Sequence, residues 1–141
     1  MPIKLNTYLN FNGQAREAME FYKSVFGGEL TLSTFKEFQG STEAADADKI
    51  MHAALETSSG LSLMAADTPA SMEYHPASAF ALSLSGDEAD EATLCGYFDQ
   101  LSAGGKVTMP LEKAMWGDTF GMLDDKFGIS WMVNIAGPKP E

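Results

Sequence analysis

Histidine, cysteine and carboxylate side chains could carry chemistry in this sequence, and their spacing limits what each can do. His52 shares a predicted strand with Glu56, which an extended chain places roughly 13 Å away. This pair alone therefore cannot hold a metal ion. Strict alternation would put His52 on one face of the strand with Ile50, Ala54 and Glu56. We predict a structural histidine, and the alternative is a side chain that points into a cleft and contacts a ligand or a metal.

The other candidate groups favour structural roles. His75 stands beside Pro76 in a predicted linker, so we expect it on the surface. Asp124 and Asp125 are adjacent on a predicted turn, where their carboxylates should point apart and stay solvated instead of forming an acid–base pair. Cys95 falls on a predicted helix without a nearby base in the sequence, which favours a packed thiol over a nucleophile.

The composition favours a globular domain and excludes some partners. The 141 residues are 45% hydrophobic and 21% charged, which is enough for a hydrophobic core. A net charge of -11 would repel a phosphate backbone, and the nine Lys and Arg residues are scattered, so we expect no nucleic-acid partner. No segment is long and apolar enough to span a membrane. The single cysteine cannot form an internal disulfide, which suits a cytoplasmic location.

The first predicted strand has one polar face. Apolar residues and threonine alternate with polar residues over 5–11, so Asn6, Tyr8 and Asn10 lie on the face away from the core. A polar and aromatic row of this kind is what a small-molecule site needs. The alternative is that this row faces water or a partner subunit.

A helix and three further strands complete the first half. Apolar residues at helical spacing predict the helix, with Asn12 as its N-cap and Gly27 and Gly28 at its end. Alternating segments predict strands at residues 30–38, 50–57 and 61–66. Residues 39–48 have no periodicity, and we interpret them as a mobile loop.

The same order returns at an offset of about 75 residues, which predicts a duplication. Asp87 is expected to cap a second helix, and a glycine pair ends it as another pair ends the first. The fold class is therefore α+β, a single domain with tandem βαβββ modules at about 1–67 and 77–138 and a linker near 68–76. A ferredoxin-like sandwich is the competing fold, but it would have fewer strands after each helix.

A hairpin closes the second module. Alternating segments flank a turn at 124–128. Trp131 is expected in the core because it shares one face of the last strand with Ile129 and Val133. A hairpin is not stable alone, so this one must join a larger sheet.

Four segments of the chain match a known family. The chain has Tyr-Leu-Asn-Phe at 8–11, Ala-Arg-Glu-Ala-Met-Glu-Phe-Tyr at 15–22, Trp-Gly-Asp at 116–118 and Asp-Lys-Phe-Gly-Ile-Ser-Trp at 125–131. Together with the tandem repeat, these segments resemble the vicinal oxygen chelate superfamily, and within it the PhnB-like branch. The superfamily includes glyoxalase I, bleomycin and fosfomycin resistance proteins and extradiol dioxygenases. The resemblance implies a curved mixed sheet with helices outside and a cleft, but not one reaction.

The resemblance also implies where a metal would bind. In metal-dependent relatives the ligands come from four strand positions, which match Asn6, Met64, Ala79 and Met132 here. None of these residues is a histidine or a carboxylate, and centres of this kind need imidazole and carboxylate donors. We therefore expect no metal cofactor.

Two functions are compatible with this sequence. The first is a metal-free protein that binds a small neutral or aromatic molecule in a cleft. Its predicted ligand-binding residues are Asn6, Tyr8, Asn10, His52, Trp116, Phe120 and Met132. The second is a metal-dependent glyoxalase- or dioxygenase-like enzyme with a non-standard ligand set, in which His52 and either Glu56 or Glu112 hold the ion. No catalytic residue is assigned, and the resemblance implies a homodimer.

Overall fold

The computed structural model describes residues 6–36, 48–58, 60–68 and 80–137. The chain divides into two compact units, Met1–Pro76 and Ala77–Glu141, which we call the first and second modules. Most of the predicted loop, residues 39–47, lies outside the described residues, as do His75 and Ala79. No described helix is long and apolar enough to cross a membrane.

The first module has the predicted βαβββ order. Its elements are β1 (Thr7–Phe11), α1 (Ala15–Phe26), β2 (Glu29–Thr34), β3 (Ile50–Glu56) and β4 (Ser62–Asp67). They form a four-stranded sheet in the order β1-β4-β3-β2. β1 runs parallel to β4, and the other neighbours are antiparallel.

The second module repeats this topology. Its elements are β5 (Leu82–Gly86), a 3-10 turn (Glu88–Asp90), α2 (Glu91–Ser102), β6 (Lys106–Lys113), β7 (Thr119–Asp124) and β8 (Ser130–Ile135). The sheet order is β5-β8-β7-β6, and β5 runs parallel to β8. The α+β class and the tandem βαβββ modules are therefore confirmed.

One face of the first sheet is buried under α1. The helix contacts β2, β3 and β4. Its buried residues recur every three or four positions, which places them on one side of the helix: Ala15, Ala18, Met19, Tyr22, Val25 and Phe26. Leu9, Phe11 and Leu55 are each only 1% exposed on the sheet side of this core. Burial of these apolar side chains holds α1 on the sheet.

The start of α1 is held by a carboxylate from the far end of the module. Asp67 Oδ1 accepts hydrogen bonds from the backbone N–H groups of Gly13 and Ala15, both at 2.9 Å, and Oδ2 accepts one from Ile50 N–H at 2.9 Å. The prediction that Asn12 caps α1 is wrong, because this buried carboxylate satisfies the helix donors instead.

A β-bulge in β3 changes the expected facing of one residue. Ser33 pairs with His52 and Thr34 pairs with Ile50, so Met51 is an extra residue in the ladder. Ile50 is 1% exposed and belongs to the core, while His52 is half-buried. The prediction that His52 and Ile50 share a face is therefore wrong.

The core of the second module includes Trp131, as predicted. This residue is 2% exposed, and its indole N–H donates a hydrogen bond of 2.9 Å to Asp125 Oδ2. Asp125 Oδ1 accepts hydrogen bonds from the N–H groups of Phe127 and Ile129 at 2.8 and 3.1 Å. Asp125 is only 4% exposed. Its turn role agrees with expectation, but the expectation that its carboxylate is solvated is wrong.

Asp87 caps the 3-10 turn that precedes the second helix, and not α2 itself, whose N-cap residue Asp90 makes no side-chain capping bond to it. Asp87 Oδ1 accepts a hydrogen bond from Ala89 N–H at 2.9 Å, and the N–H of Asp87 donates to Asp90 Oδ2 at 3.2 Å. This reciprocal pair is a capping box, and it introduces the 3-10 turn that leads into α2.

Candidate functional site

The first sheet has a second face, opposite the side that packs on α1. We call it the helix-free face of the first module and define it by Asn6, Tyr8, Asn10, His52, Ala54 and Met64. Tyr8 on β1 stands opposite Met64 on β4, and Met64 stands opposite Ala54 on β3. Residues that are directly opposed point to the same side of a sheet. The strands thus bring all four ligand-binding residues predicted in this module onto one face.

Tyr8 and His52 form the aromatic part of this face. Their ring centroids are 6.1 Å apart, with an angle of 36° between the ring planes. Tyr8 is 44% exposed. Partial burial raises the pKa of its phenol above the usual value of 10.0, so the ring stays neutral at physiological pH. The pair can offer two aromatic surfaces and one hydroxyl to a ligand.

A cavity of about 620 Å³ adjoins the same face, a volume typical of small-molecule sites. It is lined by Asn6, Glu56, Thr57, Gly60, Leu61, Ser62 and Met64. Met64 connects it to the aromatic pair, because Met64 stands opposite Tyr8. The lining offers an amide, two hydroxyls and one carboxylate, that of Glu56.

The second module also has a face that does not pack on its helix. Phe120 stands opposite Asn134, and Met122 stands opposite Met132, so Phe120 and Met132 lie in adjacent rows of this face. Trp116, on the turn before β7, contacts Phe120 edge to face, with the ring centroids 5.8 Å apart and an angle of 62°. All three ligand-binding residues predicted in this module therefore lie in one region of it, and their role in binding stays a prediction.

Asp118 fixes the turn that carries Trp116. Its Oδ1 accepts a hydrogen bond from Gly137 N–H at 2.9 Å, and its Oδ2 accepts one from Asn134 Nδ2 at 3.1 Å. These bonds lower the pKa of Asp118, the Gly137 bond most strongly. The sequence identified Trp-Gly-Asp as a motif but gave Asp118 no role.

The positions that match metal ligands do not fit a transition metal. Asn6 offers an amide, and Met64 and Met132 offer thioethers, which are poor donors for the ions that imidazole and carboxylate hold. Among the described residues, no three His, Cys, Asp or Glu side chains lie close enough together to share an ion. His52 and Glu56 lie on the same face of β3, but Ala54 lies between them on that face.

Cys95 has the properties of a packed thiol. It is half-buried on α2. Burial raises its pKa, and the nearby carboxylates of Glu91 and Asp99 raise it further. A raised pKa keeps the thiol protonated, which disfavours a nucleophilic role.

Comparison with known proteins places these features in a family. The family model described as 3-demethylubiquinone-9 3-methyltransferase matches residues 3–134. The crystal structure of protein PA1353 from Pseudomonas aeruginosa is 35% identical, with a TM-score of 0.85, and the match covers 96% of this chain and 98% of that one. A PhnB protein from Bacillus cereus, titled a putative 3-demethylubiquinone-9 3-methyltransferase, is 29% identical, with a TM-score of 0.69 and coverage of 95% and 100%.

Two further matches extend this result. Protein YjdN of Escherichia coli (strain K12) is 29% identical over 96% of this chain and 97% of its own length. A glyoxylase/bleomycin resistance protein/dioxygenase domain from Frankia sp. EAN1pec has a TM-score of 0.64 at 14% identity, with coverage of 100% and 96%, which shows a shared fold. The chain thus belongs to the PhnB-like family described as 3-demethylubiquinone-9 3-methyltransferase, and it shares the fold of a glyoxylase/bleomycin resistance protein/dioxygenase domain.

Proposed function

We propose that the protein binds a small, uncharged and partly aromatic molecule on the helix-free face of the first module. The observation that carries this proposal is the Tyr8–His52 ring pair, which adjoins a cavity of about 620 Å³ through Met64. Aromatic and thioether groups supply apolar contact area, and a few amides and hydroxyls can orient a ligand.

The charge of the site supports an uncharged ligand. Among the described residues of the cavity lining, Glu56 is the one ionisable residue, and it can accept a hydrogen bond from a ligand donor. An anionic ligand would meet this carboxylate and a chain with a net charge of -11. A neutral amide or hydroxyl group avoids that repulsion.

A pair of ligands with the same ring tests the proposal. Benzamide should shift the NMR resonances of the Tyr8 and His52 rings saturably, whereas benzoate should not, because its charge opposes Glu56. Tyr8→Ala should abolish the shift of the His52 ring, which remains in this variant. Phe21→Ala, which removes an aromatic ring from α1 on the other side of the sheet, should leave both ring shifts unchanged. A His52 shift that survives Tyr8→Ala would contradict the proposal.

We further propose that no transition metal takes part, because Asn6 and Met64 replace the usual donors. Adding Mn²⁺, Ni²⁺ or Zn²⁺ should therefore leave the melting temperature unchanged, since only a bound ion stabilises the fold. The double variant Asn6→His with Met64→Glu introduces two donors on the lining of one cavity and should make the melting temperature respond to metal. A saturable rise in the original protein that His52→Ala abolishes would establish the metalloenzyme instead.

Assembly and location are proposed on separate grounds. A homodimer is supported by the family resemblance and by the edge strands, since among the described strands β1 and β2 each have one neighbour in the first sheet. Light scattering at micromolar concentration should give twice the 15.2 kDa mass of the chain. The single cysteine supports a cytoplasmic location.

A further inference from the structure

Trp116 combines high exposure with a fixed position. Its side chain is 63% exposed, which is unusual for the largest apolar side chain. Yet the turn around it is closed by hydrogen bonds from Ala114 N–H to the Asp118 carbonyl at 2.7 Å and from Gly117 N–H to the Ala114 carbonyl at 3.0 Å. Gly117 has a φ of 99°, which favours glycine at this position.

The carboxylate of Asp118 adds a second restraint on this turn. It is anchored to Gly137 and Asn134 at the end of β8, and the indole itself contacts the ring of Phe120 edge to face. The turn and Phe120 thus hold the indole in place without burying it. A rigid exposed ring loses little conformational entropy when a ligand binds to it.

Phe120 and Glu112 complete the surroundings of this ring. The rings of Trp116 and Phe120 meet at 62°, so they form two walls of a corner. Glu112 on β6 stands opposite Phe120 on β7, and directly opposed residues point to the same side of the sheet. The corner therefore has two aromatic walls and a carboxylate beside one of them. We call this group of three residues the Trp116 corner.

We propose that the Trp116 corner is a binding site for an organic cation, such as a quaternary ammonium group. Aromatic faces attract cations electrostatically, and tryptophan does so most strongly. Glu112 and the net charge of -11 favour a positive ligand further. A neutral ligand in the same position would desolvate Glu112 without giving it a partner. This site lies in the second module, whereas the one proposed for neutral molecules lies in the first.

Two probes of equal shape but different charge test this assignment. Phenyltrimethylammonium should shift the indole N–H resonance of Trp116 saturably. Its uncharged isostere tert-butylbenzene should bind at least about tenfold more weakly, because it has no charge to interact with the aromatic rings or with the Glu112 carboxylate. The resonance is assigned from its loss in Trp116→Ala. Equal binding of both probes, or the absence of saturable binding of the cation, would overturn the proposal.

Variants then separate the aromatic and the ionic contributions. Measured by the shifts of the Phe120 ring resonances, Trp116→Ala should weaken binding of the cation about tenfold or more, while Met115→Ala, at a neighbour that is 99% exposed, should not change it. Glu112→Gln should weaken binding of the cation severalfold and make this binding less sensitive to salt. Asp99→Asn makes the same change in net charge at an exposed position of α2 and is the matched control. An equal effect of Asp99→Asn would show that Glu112 acts only through the overall charge of the chain, and it would overturn the assigned site.

Discussion

The two modules share one topology but secure the start of their helices differently. In the first module, Asp67 reaches from the end of β4 to α1 and also holds Ile50 at the start of β3. In the second module, Ile135 has the corresponding place at the end of β8, and a local capping box at Asp87 starts the 3-10 turn that leads into α2. The Asp67 carboxylate therefore connects three elements, whereas the Asp87 carboxylate bonds only within its own turn. The repeat preserves the topology, not the interactions that stabilise it.

The hairpins that close the modules differ in the same way. The Thr57 hydroxyl accepts a hydrogen bond from Leu61 N–H at 3.0 Å in the first module. At the equivalent turn of the second module, the Asp125 carboxylate accepts hydrogen bonds from two backbone N–H groups and from the indole N–H of Trp131. The buried carboxylate belongs to the helix start in one module and to the final hairpin in the other. Stability should therefore depend most on different strands in the two halves.

The largest expected loss of stability is at the hairpin of the second module. Trp131→Ala removes a buried aromatic side chain and leaves Asp125 without its indole partner, so we expect a loss of about 3–5 kcal/mol in the free energy of unfolding. Leu63 is paired with β1 as Trp131 is with β5, and Leu63→Ala should cost less, about 2–3 kcal/mol. Urea denaturation measures both. A loss below about 1 kcal/mol for Trp131→Ala would contradict its burial.

The two helix starts provide the next comparison. Asp67→Ala leaves buried backbone donors without an acceptor, and we expect it to cost about 3 kcal/mol. Asp87→Ala removes an exposed cap and should cost about 1 kcal/mol. Urea denaturation measures both variants. Similar losses would mean that the Asp67 hydrogen bonds stabilise the fold no more than an ordinary helix cap does.

The smallest effect should be an acid dependence that comes from Asp118. The pKa of this group is lower in the folded chain than its ordinary value of 3.8, so its stabilising effect is complete above that value and is lost as the pH falls through the folded pKa. The difference in melting temperature between the original protein and Asp118→Asn should therefore shrink as the pH falls below about 4. A difference that stays constant from pH 7 to pH 2 would show that the charge of Asp118 has no part in it.

Periodicity in the sequence was enough to predict the order of the helices and strands, the duplication, and most of the side chains that face the core. The polar row of Asn6, Tyr8 and Asn10 follows from alternation alone, and so does the burial of Trp131, because both depend on neighbours along the strand. The Asp67 contacts could not be predicted in this way, because they join residues 52 positions apart or more at the start of α1. No local signal marks such a partner.

The candidate site shows the same limit. The sequence identified Tyr8 and His52 separately, but their contact depends on the register of β1, β4 and β3. Trp116 was predicted as a ligand contact, whereas the role of Asp118 in fixing the turn that carries it was not. That role requires Gly137 and Asn134 to reach the turn, and the sequence does not give their distance from it.

The extra residue in β3 has a consequence for how this chain tolerates changes of length. Removing Met51 would let Ile50 and His52 occupy consecutive places in a regular ladder, each still on its present side of the sheet. Removing Ala53 instead would move His52 into the core, where an imidazole without a partner is costly. A deletion at position 51 would therefore keep the same side chains facing the core, whereas a deletion two positions later would move His52 from the outer face of the sheet into the core.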